Sequence, residues 1–121
     1  MGCDFLIVNA YDRMVLARIE KDRLLDAQAI NLLAGELLKL VDRHPKISLV
    51  VDCEAVTALS SAMLGKLVAL VKQVKACKGR MVLAGVNVKI MPLFQVTKLD
   101  KVLDFAPTAQ EAIGNYRRKP L

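Results

Sequence analysis

Two adjacent serines, Ser60 and Ser61, stand where a β-branched apolar run gives way to an amphipathic pattern, and hydroxyls at such a junction can do two things. A serine just before a helix caps it, its oxygen accepting a hydrogen bond from an amide of the first turn. A serine inside the first turn lies among unpaired amides at the positive end of the helix dipole, where a phosphate is accommodated by its own helix. Residue type and position leave both readings open: Ser60 as cap with Ser61 as its neighbour, or Ser61 as a site of modification. The other chemically able side chains are dispersed. His44 precedes Pro45 at the end of a helical pattern, where it reads as a charge on a helix C-terminus, because no carboxylate or nucleophile is marked out to work with it. Cys3, Cys53 and Cys77 are odd in number and widely spaced, which fits reduced thiols better than disulfides. With no CxxC and one histidine, no zinc site is expected. There is no GxGxxG, P-loop lysine motif, GxSxG elbow or clustered carboxylate pair, so the chain reads as a non-enzyme without a cofactor.

The serine pair is positioned by residues 47–79. Residues 47–53 are a short β-branched run without helical period, closed by Asp52 and Glu54, and read as an interior strand. After Leu59, the residues Met63, Leu64, Leu67, Leu70, Val71 and Val74 recur at three- and four-residue steps while lysines fall elsewhere, which predicts a helix with one buried face. Ser60 is its expected N-cap. Position 63 holds Met rather than Glu or Gln, so a full capping box is absent. Lys75, Lys78 and Gly79 suit the other end, with Gly79 expected to form a left-handed cap.

The remaining elements follow in order. Residues 4–10 and 14–19 read as two strands joined by a turn at residues 11–13, a hairpin. Residues 20–25 read as a charged loop, and Asp26 as the N-cap of a helix running to about His44, where Pro45 stops it. Ile30, Leu33, Leu37, Leu40 and Val41 form its apolar stripe, widened by Leu32 and Leu38, some of which is left as a contact patch. A strand is expected over residues 80–84, a break at Gly85, and a helix within residues 88–99 that starts near Lys89 or Ile90 so that Pro92 falls in its first turn. Residues 102–105 read as a last strand, Pro107-Thr108 as turn and cap, and residues 109–116 as a final helix before a frayed tail. The order ββαβαβαβα describes an α/β domain with a mostly parallel sheet, an N-terminal hairpin and right-handed crossovers.

At 121 residues the chain is long enough for one domain, residues 1–121, and too short for two. It is 55% hydrophobic yet has two Tyr, three Phe and no Trp, so its core is aliphatic. No run reaches the length of a membrane span and the N-terminus does not have the form of a secretion signal, so a cytoplasmic, membrane-free protein is expected. Residues 55–99 contain no Asp or Glu against seven basic residues, Lys66, Lys72, Lys75, Lys78, Arg80, Lys89 and Lys98, so the net charge of +6 belongs to that half. Aromatic stacking residues are too few for a nucleic-acid surface, and an acidic protein partner or plain solvation fits better.

The run VVDCEAVTALSSAMLGKL resembles the signature of the STAS domain, the sulfate transporter and anti-sigma antagonist fold, in which a strand-end acid leads through an apolar loop to Asp-Ser-Ser-Gly-Leu-Gly at a helix start. Asp52 matches the acid, Val56 and Leu59 the loop, Ser61 the phosphorylatable serine, and Leu64-Gly65 the Leu-Gly. GRMVLAGVNVKIMPLFQVTKLDKVLDFAPTAQEAI resembles the second signature, so the likeness spans nearly the whole chain. Ser60, Ala62 and Met63 replace the family's Asp, second Ser and Gly. The resemblance implies a partner-switching anti-sigma factor antagonist: it binds an anti-sigma factor that is often a serine kinase, is released by phosphorylation at Ser61, and is reset by a serine phosphatase. Ser60, Ala62, Met63, Lys66 and Thr57 are then expected as helix cap and partner contacts. A constitutive STAS interaction subunit, such as a transporter accessory or signalling scaffold without a phosphoswitch, is the alternative. Nucleotide binding at the same amides lacks a glycine-rich loop.

Overall fold

The computed structural model describes residues 4–11 and 14–118. Five strands form the main sheet: β1 (Leu6–Tyr11), β2 (Met14–Ile19), β4 (Ser48–Asp52), β6 (Arg80–Ala84) and β7 (Asp104–Ala106), in that spatial order. β1 and β2 pair antiparallel as the expected hairpin, although residues 12 and 13 of its turn lie outside the described residues. Every later pairing in this sheet is parallel. Helices α1 (Ala27–Arg43), α2 (Ser61–Ala76), α3 (Met91–Val96) and α4 (Ala109–Arg118) occupy the crossovers and the end of the chain.

Alternation along the strands divides the core in two. Val15, Ala17, Ile19, Leu49, Val51, Met81 and Leu83 face α1 and α2, meeting Ile30, Leu33 and Leu37 of one helix and Leu64, Leu67 and Val74 of the other. Leu16, Val50 and Ala84 face the opposite way, where α4 covers them with Ala112, Ile113 and Tyr116. All five residues of β4 are buried. Arg80 locks α4 in place: its Nε donates to Ser48 Oγ at 3.0 Å, one of its terminal nitrogens donates to the Tyr116 carbonyl at 3.2 Å, and its guanidinium lies 4.0 Å from the centre of the Tyr116 ring.

Capping explains the helix ends. Asp26 Oδ2 accepts from the Ala29 amide at 2.8 Å, and Thr108 Oγ1 accepts from the Glu111 amide at 3.1 Å, both as expected. The end of α2 differs from expectation. The left-handed residue is Lys78, with φ 60°, not Gly79. The Gly79 amide donates to the Val74 carbonyl and the Lys78 amide to the Lys75 carbonyl, the paired bonds of a Schellman motif. Gly79 is required for a different reason: a Cβ there would sit 2.5 Å from the Ile47 carbonyl oxygen, where the chain entering β6 presses on the start of β4.

Other departures have similarly local causes. The segment at residues 20–25 is not only a loop, since β3 (Arg23–Leu24) pairs in parallel with β5 (Ala58–Leu59) as a separate two-stranded sheet. Leu32 and Leu38 do not join the buried stripe of α1; they are 45% and 38% exposed. α3 is shorter than the apolar pattern suggested, with Val88 and Val96 in solvent. Asn87 forms a turn before it, and Thr97 and left-handed Lys98 end it, followed by a 3₁₀ turn at Leu99–Lys101. Val102 closes that turn instead of opening β7, which begins two residues later. α4 runs on to Arg118, past the expected end at 116, and Cys77 is the half-buried C-cap of α2.

Gly79→Ala is expected to lower unfolding free energy by about 1–3 kcal/mol, because the collision is with backbone and cannot be relieved by a rotamer change. Lys78→Gly is expected to raise it by up to about 1 kcal/mol by removing the left-handed penalty. Urea denaturation of the two variants checks both signs.

Candidate functional site

The site begins at the buried end of β4. Asp52 is 4% exposed, and its two oxygens have separate tasks. Oδ1 accepts from the Glu54 amide at 3.1 Å, turning the chain out of the sheet, while Oδ2 accepts from Arg18 Nε of β2 at 3.4 Å. The turn continues with the Val56 amide donating to the Cys53 carbonyl at 2.9 Å and the Val56 side chain buried beneath it. Thr57 then donates through both its amide and its hydroxyl to the Asp22 carbonyl, at 2.7 and 3.1 Å. The Ser60 amide donates to the Leu24 carbonyl at 3.1 Å. The Ala58 amide also donates to the Asp22 carbonyl, at 3.1 Å, so the loop leading to the serines is strapped to the Asp22 and Leu24 carbonyls between β2 and α1.

Ser60 has extended backbone, φ −92° and ψ 163°, and its Oγ accepts from the Met63 amide at 3.3 Å. It is the N-cap of α2, the role its type and position suggested. Ser61 is the first helical residue and is exposed, and its hydroxyl makes no hydrogen bond to another described residue. Ala62, Thr57 and Lys66 are exposed as well, so these side chains share an accessible surface around the helix start. Met63 lies on the buried face of α2, as its apolar spacing predicts, and not among the partner contacts on the open surface. Its side chain is 1% exposed and packs into the core, so it offers its amide to the cap and reaches outward only as part of a groove wall. No acidic residue occupies the first turn of α2, leaving the positive end of its dipole uncompensated.

Beside this surface, an open groove of about 320 Å³ runs between α1 and α2, with Leu38, Met63, Lys66, Leu67 and Leu70 among its walls. Among the described residues there is no group of three or more His, Cys, Asp or Glu placed to hold a metal ion. No helix of the described residues is long and apolar enough to cross a membrane. Cys53 follows β4, and burial, aided by the neighbouring Asp52 carboxylate, pushes its thiol up from 9.0 to about 12. Burial likewise pushes the Tyr116 phenol up, against the opposing pull of Arg80.

Two parts of the site escaped the sequence reading. The Asp22–Leu24 strap works through backbone carbonyls, which leave no mark on residue type, and a two-residue strand is too short to alternate. Leu24, buried within a charged segment, was its one available signal. Arg18 is the exposed position in an otherwise buried β2, and nothing local indicates that it reaches Asp52.

Together the fold and the site define a small α/β module that presents a helix-start serine on a surface rather than enclosing a reactive group in a cleft. The chain belongs to the STAS domain family, whose model matches residues 6–112. Solved structures with the same fold include a proposed anti-sigma factor antagonist of Thermotoga maritima, at TM-score 0.81 and 19% identity over 95% of this chain and 97% of that one. An anti-sigma factor antagonist of Mycobacterium paratuberculosis superposes at 0.78 with 21% identity over 97% and 99%. The phosphorylated form of the Bacillus cell fate determinant SpoIIAA superposes at 0.71 with 18% identity over 91% and 97%. At these identities the likeness establishes the fold.

Ser60→Ala is expected to cost about 1 kcal/mol through loss of the cap, and Ser60→Asp to cost little, as measured by thermal or urea denaturation. The raised Cys53 thiol adds a pH prediction. The folded state keeps its proton after the unfolded state has lost it, so stability is unaffected below about pH 9 and falls as pH rises from there toward 12. Denaturation between pH 8 and 11 should show Cys53→Ala declining less steeply than the parent chain.

Proposed function

We propose that this protein is an anti-sigma factor antagonist of a partner-switching pathway, with Ser61 as its phosphorylated residue. The observation that carries the proposal is the division of labour at the helix start. Ser60 spends its hydroxyl on the Met63 amide, while the Ser61 hydroxyl stands exposed and uncommitted one residue later. In the unmodified state, Ser61, Ala62, Thr57 and Lys66 form the surface that packs against an anti-sigma factor carrying serine kinase activity. A phosphate on Ser61 brings close to two negative charges and a strongly hydrated group to that surface. Its own helix tolerates the charge, because the Ser61 and Ala62 amides of the first turn have no partner among the described residues and no carboxylate competes. The bound partner must desolvate it, so the complex breaks while the fold stands. A serine phosphatase then restores binding. The protein is a ligand and a substrate in this scheme and not a catalyst.

One observation favours the second reading, a constitutive STAS interaction subunit. Ser60 caps α2 without placing a carboxylate beside Ser61, where the family's pattern has Asp. The two readings part on one experiment. The protein is isolated from its native cells with and without phosphatase treatment, its peptides are weighed, and the affinity of Ser61→Ala and Ser61→Asp for the co-purifying partner is measured. Phosphate on Ser61, binding retained by Ser61→Ala and binding weakened on the order of tenfold or more by Ser61→Asp are expected. An unmodified Ser61 under all growth conditions, with both variants binding like the parent, would give the constitutive reading.

A further inference from the structure

The groove between α1 and α2 has a shape that a further helix fits. The two helices lie side by side and parallel, because each leaves one strand of the parallel sheet and returns to the next. Wall residues recur every three or four positions, at Asn31, Ala34 and Leu38 on α1 and at Met63, Lys66 and Leu70 on α2. Seven residues of helix span about 10 Å, so the groove accepts two turns of a third helix whose side chains at i, i+3 or i+4 and i+7 form the matching ridge. Leu38, 38% exposed, is its apolar rim.

Two details point to a close contact made from outside the chain. Gly35 stands exposed in one wall, although a glycine inside a helix lowers its stability relative to alanine. Its φ is not positive and an added Cβ would meet nothing within 4 Å, so neither backbone geometry nor packing within the chain requires it. The second detail is charge. Lys66 is the one charged wall residue, and it makes no ion pair among the described residues. Lys66, Lys72 and Lys75 are the only charges of α2, while Glu36 and Asp42, the acids of α1, lie outside the walls and Glu36 pairs with Lys39.

We propose that this groove receives an amphipathic helix of the protein's partner, with an apolar ridge on its contact face and Asp or Glu beside that ridge against Lys66. The inference deepens the proposed function and rests on it for the partner, an anti-sigma factor. Met63 and Lys66 carry the groove up to the helix start where Ser61 is exposed, so one partner covers both. Charge selects the occupant. A second copy presenting the same face would set the lysines of one α2 against those of the other. A lipid surface takes up projecting apolar side chains, whereas this site is a trough between two helices. An acidic helix gains a charge pair at Lys66, on a chain whose net charge of +6 also draws it in over distance.

Amide chemical shifts of the full chain, titrated with two synthetic helical peptides, test the surface. The peptides share a leucine ridge and differ only in the residues flanking it, Glu in one and Lys in the other. The Glu peptide should shift the amides of Ala34, Gly35, Leu38, Lys66 and Ala69 and bind at least about tenfold more tightly than the Lys peptide. Gly35→Leu, which fills the groove without loss of helix propensity, should keep the parent's circular dichroism and bind about tenfold more weakly or worse. Lys66→Glu should lose as much, while Lys72→Glu, an identical change of net charge outside the walls, should stay within about twofold of the parent. This pair decides the matter if Gly35→Leu fails to fold. No binding of the Glu peptide, shifts outside the groove, equal losses from Lys66→Glu and Lys72→Glu, or normal binding by a folded Gly35→Leu overturns the proposal. The co-purifying partner should show the same losses. If it does while Ser61→Asp binds like the parent, the phosphoswitch fails and the groove stands. If Ser61→Asp releases the partner and the groove variants bind it normally, the groove fails and the switch stands.

Discussion

The burial of β4 is the constraint on which the rest of the structure depends. All five of its residues are enclosed, with Leu49 and Val51 against α1 and α2 and Val50 against α4. A strand covered on both faces cannot slip by one residue without exchanging two packed surfaces, so its register is firmly held. That register places Asp52 at the exit of the sheet with its carboxylate still buried. One oxygen then turns the chain through the Glu54 amide, and the loop emerges where the Asp22 and Leu24 carbonyls hold it. The position of Ser61 is set by this sequence of contacts, starting in the core.

The same logic explains why the site is a surface. In the proposed switch a kinase and a partner would both have to reach Ser61, so the residue could not sit in a pocket, yet its geometry would have to be reproducible. The structure resolves this by making rigid everything that precedes the serine. Val56 is buried, Thr57 is bonded twice, and Ser60 gives both its amide and its hydroxyl to its surroundings. Ser61, the residue proposed to carry the phosphate, is the first one without a structural duty. The inward turn of Met63 belongs to this arrangement: where the family's pattern has glycine, the bulk goes into the core, and the accessible turn is left to Ser61 and Ala62.

Close approach of backbones is a second organising element. Gly79 admits the Ile47 carbonyl to a place where a Cβ would stand, which brings the start of β6 against the start of β4 and closes the crossover made by α2. Gly85, at φ 66°, does comparable work at the other end of β6, where the chain passes close to Glu54. The two glycines bound the strand that flanks β4. Their spacing is that of a five-residue strand, and they therefore influence where the loop of the site emerges.

The sequence by itself determined what depends on local chemistry. The strand at β6 and the second strand of the hairpin were legible from apolar runs bounded by turn residues, and the caps at Asp26, Ser60 and Thr108 from side chains able to accept an amide within three residues. The STAS likeness of residues 50–67 selected Ser61 over Ser60. Only the tertiary structure decided what depends on distant backbone. It placed the β3–β5 strap, the Arg18–Asp52 contact across 34 residues, and the transfer of the left-handed turn from Gly79 to Lys78. The physical reason is common to all three. Carbonyl acceptors and close backbone approaches carry no signature in side-chain type, and hydrophobic periodicity reports that a residue can be buried, not which neighbour will cover it.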